Sequence, residues 1–226
     1  MTFLVLTALL WVGVHVGIAG TAVRGRLAGQ LGDNGFRGAF SLVSVVAISL
    51  LVITWKSAPY VPLWQLPVTG SWLVVAAMLV AFVLFAGSVL TPNATSVGQE
   101  KALDREATGM FRVTRHPMLW SFALWGVCHI ATNGNVAATL FFGAFAVTAL
   151  LGMPSIDAKI AGRDPARFAA YARVTSIIPF AAIAAGRNRF APAELLRPVL
   201  VGAVVWGLLL YTHPYIFGVY ALPTGQ

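Results

Sequence analysis

The chain has 226 residues, of which 58% are hydrophobic and 10% charged; its mean hydropathy is +0.82 and its formal net charge +8. A soluble domain of this length needs a far more polar surface, so a water-borne globular fold is excluded. Nucleic-acid binding is a poor reading of the positive charge, because no basic stretch carries interleaved base-stacking aromatics.

Taken in chain order, six apolar windows run roughly over 2 to 20, 38 to 55, 71 to 90, 117 to 133, 136 to 154 and 198 to 217. Spanning a bilayer takes about 20 apolar residues per helix, and these windows are continuous rather than alternating, which favours helices over barrel strands. No Lys or Arg precedes the first window, so it reads as a span rather than a signal peptide. Proline at 59, 62 and 67 stiffens the second loop, and Trp55, Tyr60, Trp64 and Trp72 flank it as interfacial belt residues. Residues 91 to 116 carry Glu100, Lys101, Asp104, Arg105 and Glu106 and read as a short surface helix. Asn133-Gly134-Asn135 separates spans four and five as a tight hairpin. Asp164-Pro165 is a helix start, a cap followed by proline at the first position. Phe168, Tyr171 and Val174 then recur at helical spacing, edged by Arg167 and Arg173, predicting a basic amphipathic helix on the inner leaflet. Tyr211, Tyr215, Phe217 and Tyr220 close the last span.

The 15 Lys and Arg residues set the orientation. All except Lys56 fall in the loops between spans one and two, three and four, or five and six. The positive-inside rule makes those loops cytoplasmic and both termini periplasmic. The fold class is therefore all-α: a polytopic membrane helix bundle of about six transmembrane helices, with a short amphipathic helix at the cytoplasmic surface.

Leu-Trp-x-x-x-His occurs twice, as Leu10-Trp11 to His15 and as Leu124-Trp125 to His129. A four-residue offset puts Trp and His one turn apart on one helix face. Imidazole at that depth needs a partner: a backbone carbonyl, a hydroxyl or a ligand. No carboxylate lies within any of the six windows, which removes the facial triad and the di-iron Glu-x-x-His pattern. Two histidines without anionic ligands suit an iron porphyrin, whose ring supplies four further nitrogens, better than Zn, Mg or Ca. Cys128 is the single cysteine, so thioether attachment through Cys-x-x-Cys-His is absent and any haem is non-covalent. Counting 1.5 Å per residue, His15 lies about 7 Å and His129 about 18 Å from the inner ends of their spans, a mismatch in depth. His116 and His213 are the competing imidazoles. Arg37 can neutralise a propionate, and Arg115-His116-Pro117 opens span four with a polar cluster able to hold propionates or another anion.

His15-Val16-Gly17, Phe36-Arg37-Gly38-Ala39-Phe40-Ser41, Val113-Thr114-Arg115-His116-Pro117, Leu124-Trp125 to His129, and Tyr171 followed by Val174-Thr175-Ser176-Ile177-Ile178-Pro179-Phe180 form an ordered set. In that order they resemble the NnrU family of membrane proteins, which includes the plant and cyanobacterial cis-ζ-carotene isomerases. The resemblance implies a single integral-membrane domain over 1–226 that binds non-covalent haem b through residues matching His15 and His129. Trp11, Trp125, Arg37, Arg115 and His116 are the surrounding candidates for the cofactor site. It implies a bacterial inner-membrane protein with a redox-linked role in nitric oxide and nitrite metabolism, or in isomerising a cis carotenoid. Its partners are then the bilayer, haem, and a hydrophobic or small gaseous ligand, with no nucleic acid. Isomerase-branch relatives carry a Cys three residues before the second His, where this chain has Gly126. The Arg-His-Pro and Tyr171 to Pro179 segments also resemble membrane methyltransferases of the isoprenylcysteine type, which use S-adenosylmethionine; the matching region here offers only Asp157 as an acid. A non-catalytic membrane assembly factor is the third reading.

Overall fold

A computed structural model describes residues 1–92, 95 and 103–223. Glu100 and Lys101, assigned above to a surface helix, lie outside the described residues. Among the described residues there is no β-strand, and the only ladder pairing is a bridge between Pro62 and Asn135. Among the described residues, four segments are long and apolar enough to cross a membrane: Ala22–Lys56, Val68–Leu90, Val136–Arg163 and Pro192–Phe217. Thr2–Ile18 and Pro117–Asn133 are shorter apolar helical segments. At 1.5 Å per residue they reach about 25 Å, which local thinning of the bilayer accommodates. This is an all-α membrane protein.

The chain divides into two compact units, Met1–Leu66 with Gly126–Ser155, and Pro67–Trp125 with Ile156–Gln226. The first unit opens with α1 (Thr2–Val12), which continues through a π-helical turn, Gly13–Ile18. The apolar run carries on to Ala19, but the helix stops there, and Thr21 caps α2 (Ala22–Lys56) by accepting from Val23 N. The window expected to begin near 38 is therefore helical from residue 22. Arg24 and Arg26 orient a segment in the bilayer, but nothing in an Arg side chain ends a helix. The break falls instead at Gly32, whose φ of 72° and ψ of 160° kink α2. Thr7 and Thr54 join α1 to α2 through a 2.7 Å hydroxyl–hydroxyl bond. After Lys56 the chain turns back, and Leu63 N and Trp64 N donate to Gly134 O while Val136 N donates to Val61 O. The Trp64 indole donates to Ala131 O at 3.0 Å, so this belt residue also clamps the hairpin.

Helix α3 (Val68–Leu90) begins the second unit. It packs closely on the last helix: a Cβ built on Gly202 would stand 2.7 Å from Val83 Cα, so the glycine permits near backbone contact. A single turn, α4 (Met110–Val113), precedes α5 (Pro117–Asn133), which supplies its first half to the second unit and its last part to the first. Asn135 caps α6 (Val136–Arg163) by accepting from Ala138 N at 2.8 Å. This helix runs nine residues past the expected end at 154, through Pro154, and so carries Asp157. Asp164 caps α7 (Pro165–Val174) as the sequence predicts, accepting from Arg167 N. Its apolar stripe turns onto protein: Tyr171 is buried with Leu103, Ala107 and Phe111, and Phe168 packs beside them. A short turn α8 (Ala181–Ala184) and a 3₁₀ turn at Pro192–Leu195 lead into α9 (Leu196–Phe217).

Candidate functional site

Within the first unit the two histidines belong to one aromatic network. The π-helical turn centres on His15, and its hallmark is the wide bond from Ala19 N to Val14 O at 3.1 Å. Such bulges inside helices recur at functional positions. His15 Nδ1 lies 2.9 Å from Trp11 O. A carbonyl oxygen only accepts, so Nδ1 carries the hydrogen and the lone pair sits on Nε2. No partner for Nε2 is found among the described residues. The Trp11 indole packs on His15 with ring centroids 3.9 Å apart, and Phe40 meets His15 edge-on at 5.3 Å. Trp11 Nε1 is buried with no hydrogen-bond partner. An orphaned buried donor is costly and unusual. Its neighbourhood thus holds one uncommitted acceptor, on His15, and one uncommitted donor.

His129 lies four residues before the end of α5 and stacks on Phe142 at 4.7 Å. Gly126, one turn earlier, lets α5 close on α6: a Cβ there would stand 2.8 Å from Phe142 O. A continuous series of ring contacts links the two imidazoles, from Trp11 to Phe145 at 4.8 Å, Phe145 to Phe141 at 5.4 Å, and Phe141 to Phe142 at 5.0 Å. Helix α6 serves as a ruler. His129 is level with Phe142, whereas His15 lies one turn beyond the residue level with Phe145, which staggers the rings by about 10 Å along the helix axes at 1.5 Å per residue. The depth mismatch counted on the sequence therefore persists. Trp125 keeps its helical offset from His129. Arg37 is exposed on α2, one turn from Phe40.

The second unit gathers Arg115 and His116 on Asp157. Arg115 donates to Asp157 Oδ2 from Nε at 2.8 Å and Nη2 at 2.7 Å, and His116 Nε2 lies 2.8 Å from Oδ1. His116 is 1% exposed and its Nδ1 has no partner. The strand-like passage into α5 is strapped down by Arg115 N to Ser176 O at 2.9 Å, Phe180 N to Val113 O at 2.8 Å, and the Trp120 indole to Ile177 O at 2.8 Å. That strapping gives the Tyr171 to Phe180 segment of the sequence its role. Arg112 is buried beside it and held by Glu194, Glu106 and Asn188. Glu194, and less so Glu106, push its guanidinium further above its ordinary range, with burial opposing. A cavity of about 260 Å³ in this unit is lined by Tyr171, Phe111, Arg105 and Glu106 among others.

Asp157 was the residue that sequence reasoning undervalued. Its signal was present, one acid at helical range beyond an apolar window, but it gained meaning only with its partners. His213 proves local: its Nδ1 donates to Val219 O at 2.8 Å, closing the end of α9. Among the described residues no cluster of three or more His, Cys, Asp or Glu side chains could hold a bare metal ion.

The chain is 30% identical over 181 residues to the chloroplastic 15-cis-zeta-carotene isomerase of Arabidopsis thaliana, covering 77% of this chain and 48% of that one. It is 25% identical over 191 residues to the Zea mays protein of the same name, covering 82% and 51%. It thus spans about half the length of the curated relatives it matches. No solved structure is significantly similar. The family model described as NnrU protein matches residues 3–221, and the chain belongs to the NnrU family.

Proposed function

We propose that this protein is a haem b-binding membrane protein of the NnrU family that isomerises a cis double bond in a long apolar polyene. The observation that carries the haem is the fixed tautomer of His15. With Nδ1–H committed to Trp11 O, the Nε2 lone pair would be the atom by which His15 holds the iron, and the carbonyl would fix that tautomer. The residues fit such a group in a second way, through the orphaned Trp11 Nε1 beside it. His129 would be the second residue to hold the group, and for both imidazoles to reach it the stagger between α1 and α5 would have to close. When bound, haem would supply a one-electron iron couple, with its potential tuned by the residues that hold it and by the surrounding dielectric. Trp11 orients His15; Phe141, Phe142 and Phe145 keep water out and offer an apolar wall to an extended hydrocarbon. The substrate class rests on the names of the Arabidopsis thaliana and Zea mays relatives.

The charge distribution supports an orientation with both termini on the side away from the basic loops, and the bacterial inner-membrane location comes with the family resemblance. Haem likewise suits the redox-linked role in nitric oxide or nitrite metabolism that the family resemblance brings with it. The test is to purify the protein with haem supplied, record reduced-minus-oxidised spectra, and follow a 15-cis polyene by chromatography. A low-spin spectrum lost in both His15→Ala and His129→Ala, together with isomerisation that requires reduction, is the expected result. Loss in His15→Ala alone means that the stagger persists and His129 is not a ligand. A wild-type protein that takes up no haem ends the reading. S-adenosylmethionine binding abolished by Arg115→Ala is the result the methyltransferase reading requires instead.

A further inference from the structure

The first unit holds four cations, Arg24, Arg26, Arg37 and Lys56, and a single side-chain carboxylate, Asp33. Asp33 is already bound to Arg24 at 3.3 Å, and it lies about 35 Å from Lys56 along α2 at 1.5 Å per residue. Lys56 therefore has no possible counter-ion within its unit. It ends α2 at the rim of a cavity of about 250 Å³, lined by Trp55, Lys56, Ala58, Tyr60, Asn135 and Ala137. That cavity is one ring away from His129. Trp55 stacks on Phe141 at 4.5 Å and meets Phe142 edge-on at 5.7 Å, and Phe142 in turn stacks on His129.

We infer that this cavity receives the carboxylate edge of the porphyrin, with Lys56 as the cation that pairs with a propionate. The inference rests on the haem reading above and names the residue that orients the group. The Lys56 ammonium is exposed at the end of α2, and no side-chain carboxylate of its own unit competes for an anion there. Trp55 and Tyr60 complete an amphipathic rim, apolar toward the macrocycle and polar toward the carboxylates. Arg37, the other propionate candidate, is worse placed. It follows Asp33 by four residues, which puts a carboxylate about one turn away, and it lines neither of the two cavities.

The test is a Soret absorbance titration of the full-length protein in detergent with haem b and with its dimethyl ester, which lacks the carboxylates. Four proteins are compared: wild type, Lys56→Gln, Lys56→Arg and Arg37→Gln. Lys56→Gln is expected to weaken haem b about tenfold and the diester less than twofold, with Lys56→Arg restoring affinity for haem b. Arg37→Gln is expected to leave both affinities within twofold. Equal weakening of haem and diester in Lys56→Gln, or selective weakening only in Arg37→Gln, overturns the assignment and makes Lys56 a residue that serves the lipid interface. A wild-type protein that binds neither porphyrin overturns the haem reading itself, and this assignment falls with it.

Discussion

The two units treat polar groups in opposite ways. In the second, Arg112, Arg115, His116, Asp157 and Glu194 are cross-linked into short ion pairs, so nearly every buried charge meets its opposite. In the first, the polar atoms near His15 are few and neutral, and the Trp11 indole N–H is left unmatched. Paired buried charges cost desolvation and return it only through good geometry, which makes them structural commitments. The His15 imidazole commits its N–H to Trp11 O and leaves its lone pair without a partner among the described residues. The contrast is one of charge: the second unit pairs its ionic groups within the protein, although His116 Nδ1 is unpartnered there too, while the first leaves neutral ring nitrogens at Trp11 and His15 unpartnered.

The largest test of this contrast is Asp157→Ala. It leaves Arg115 and His116 buried without an acceptor, and removing one member of a buried pair costs about 3–5 kcal/mol. Denaturant unfolding in mild detergent measures it; a cost below about 1 kcal/mol would mean that water reaches the cluster and the pairing is not structural. A smaller effect concerns Tyr171. Burial raises its phenol well above the ordinary tyrosine range; Arg115 pulls it back slightly and Asp157 adds to the rise. The folded pKa thus exceeds the unfolded value of about 10. The stability Tyr171 contributes is complete below that pH and is lost as pH rises toward the folded pKa. Wild-type stability should therefore decline above pH 10 more steeply than that of Tyr171→Phe, and equal slopes would show that the phenol is not shielded. The smallest effect belongs to the first unit. Thr54→Val removes the hydroxyl pair with Thr7, and such interhelical bonds in membranes average about 0.6 kcal/mol. A loss several times larger would mean that α1 and α2 depend on polar cross-links as the second unit does.

Much of the architecture was legible beforehand. The windows over 71 to 90, 117 to 133 and 198 to 217 correspond to α3, α5 and α9 within a few residues. Apolar length is an intrinsic property of a segment and the bilayer imposes it directly. The windows misjudged helix ends at 22 and at 163, because hydropathy records where a helix leaves the hydrocarbon and not where its hydrogen bonds stop. Trp11 beside His15 was legible too, since a four-residue offset is local geometry.

What the sequence determined by itself is whatever depends on neighbours along the chain or on the solvent: spans, charge asymmetry, the capped α7, the doubled Trp–His spacing. The π-helical turn at His15, the choice of its tautomer and the convergence of Arg115 and His116 on Asp157 were decided only in three dimensions. Asp157 lies 41 residues from His116, and no periodicity reports a contact at that range. The stagger of His15 and His129 belongs to both levels. Counting residues raised it, and the packing of α1, α5 and α6 retained it, because rigid helices in contact hold the depth that their side chains dictate.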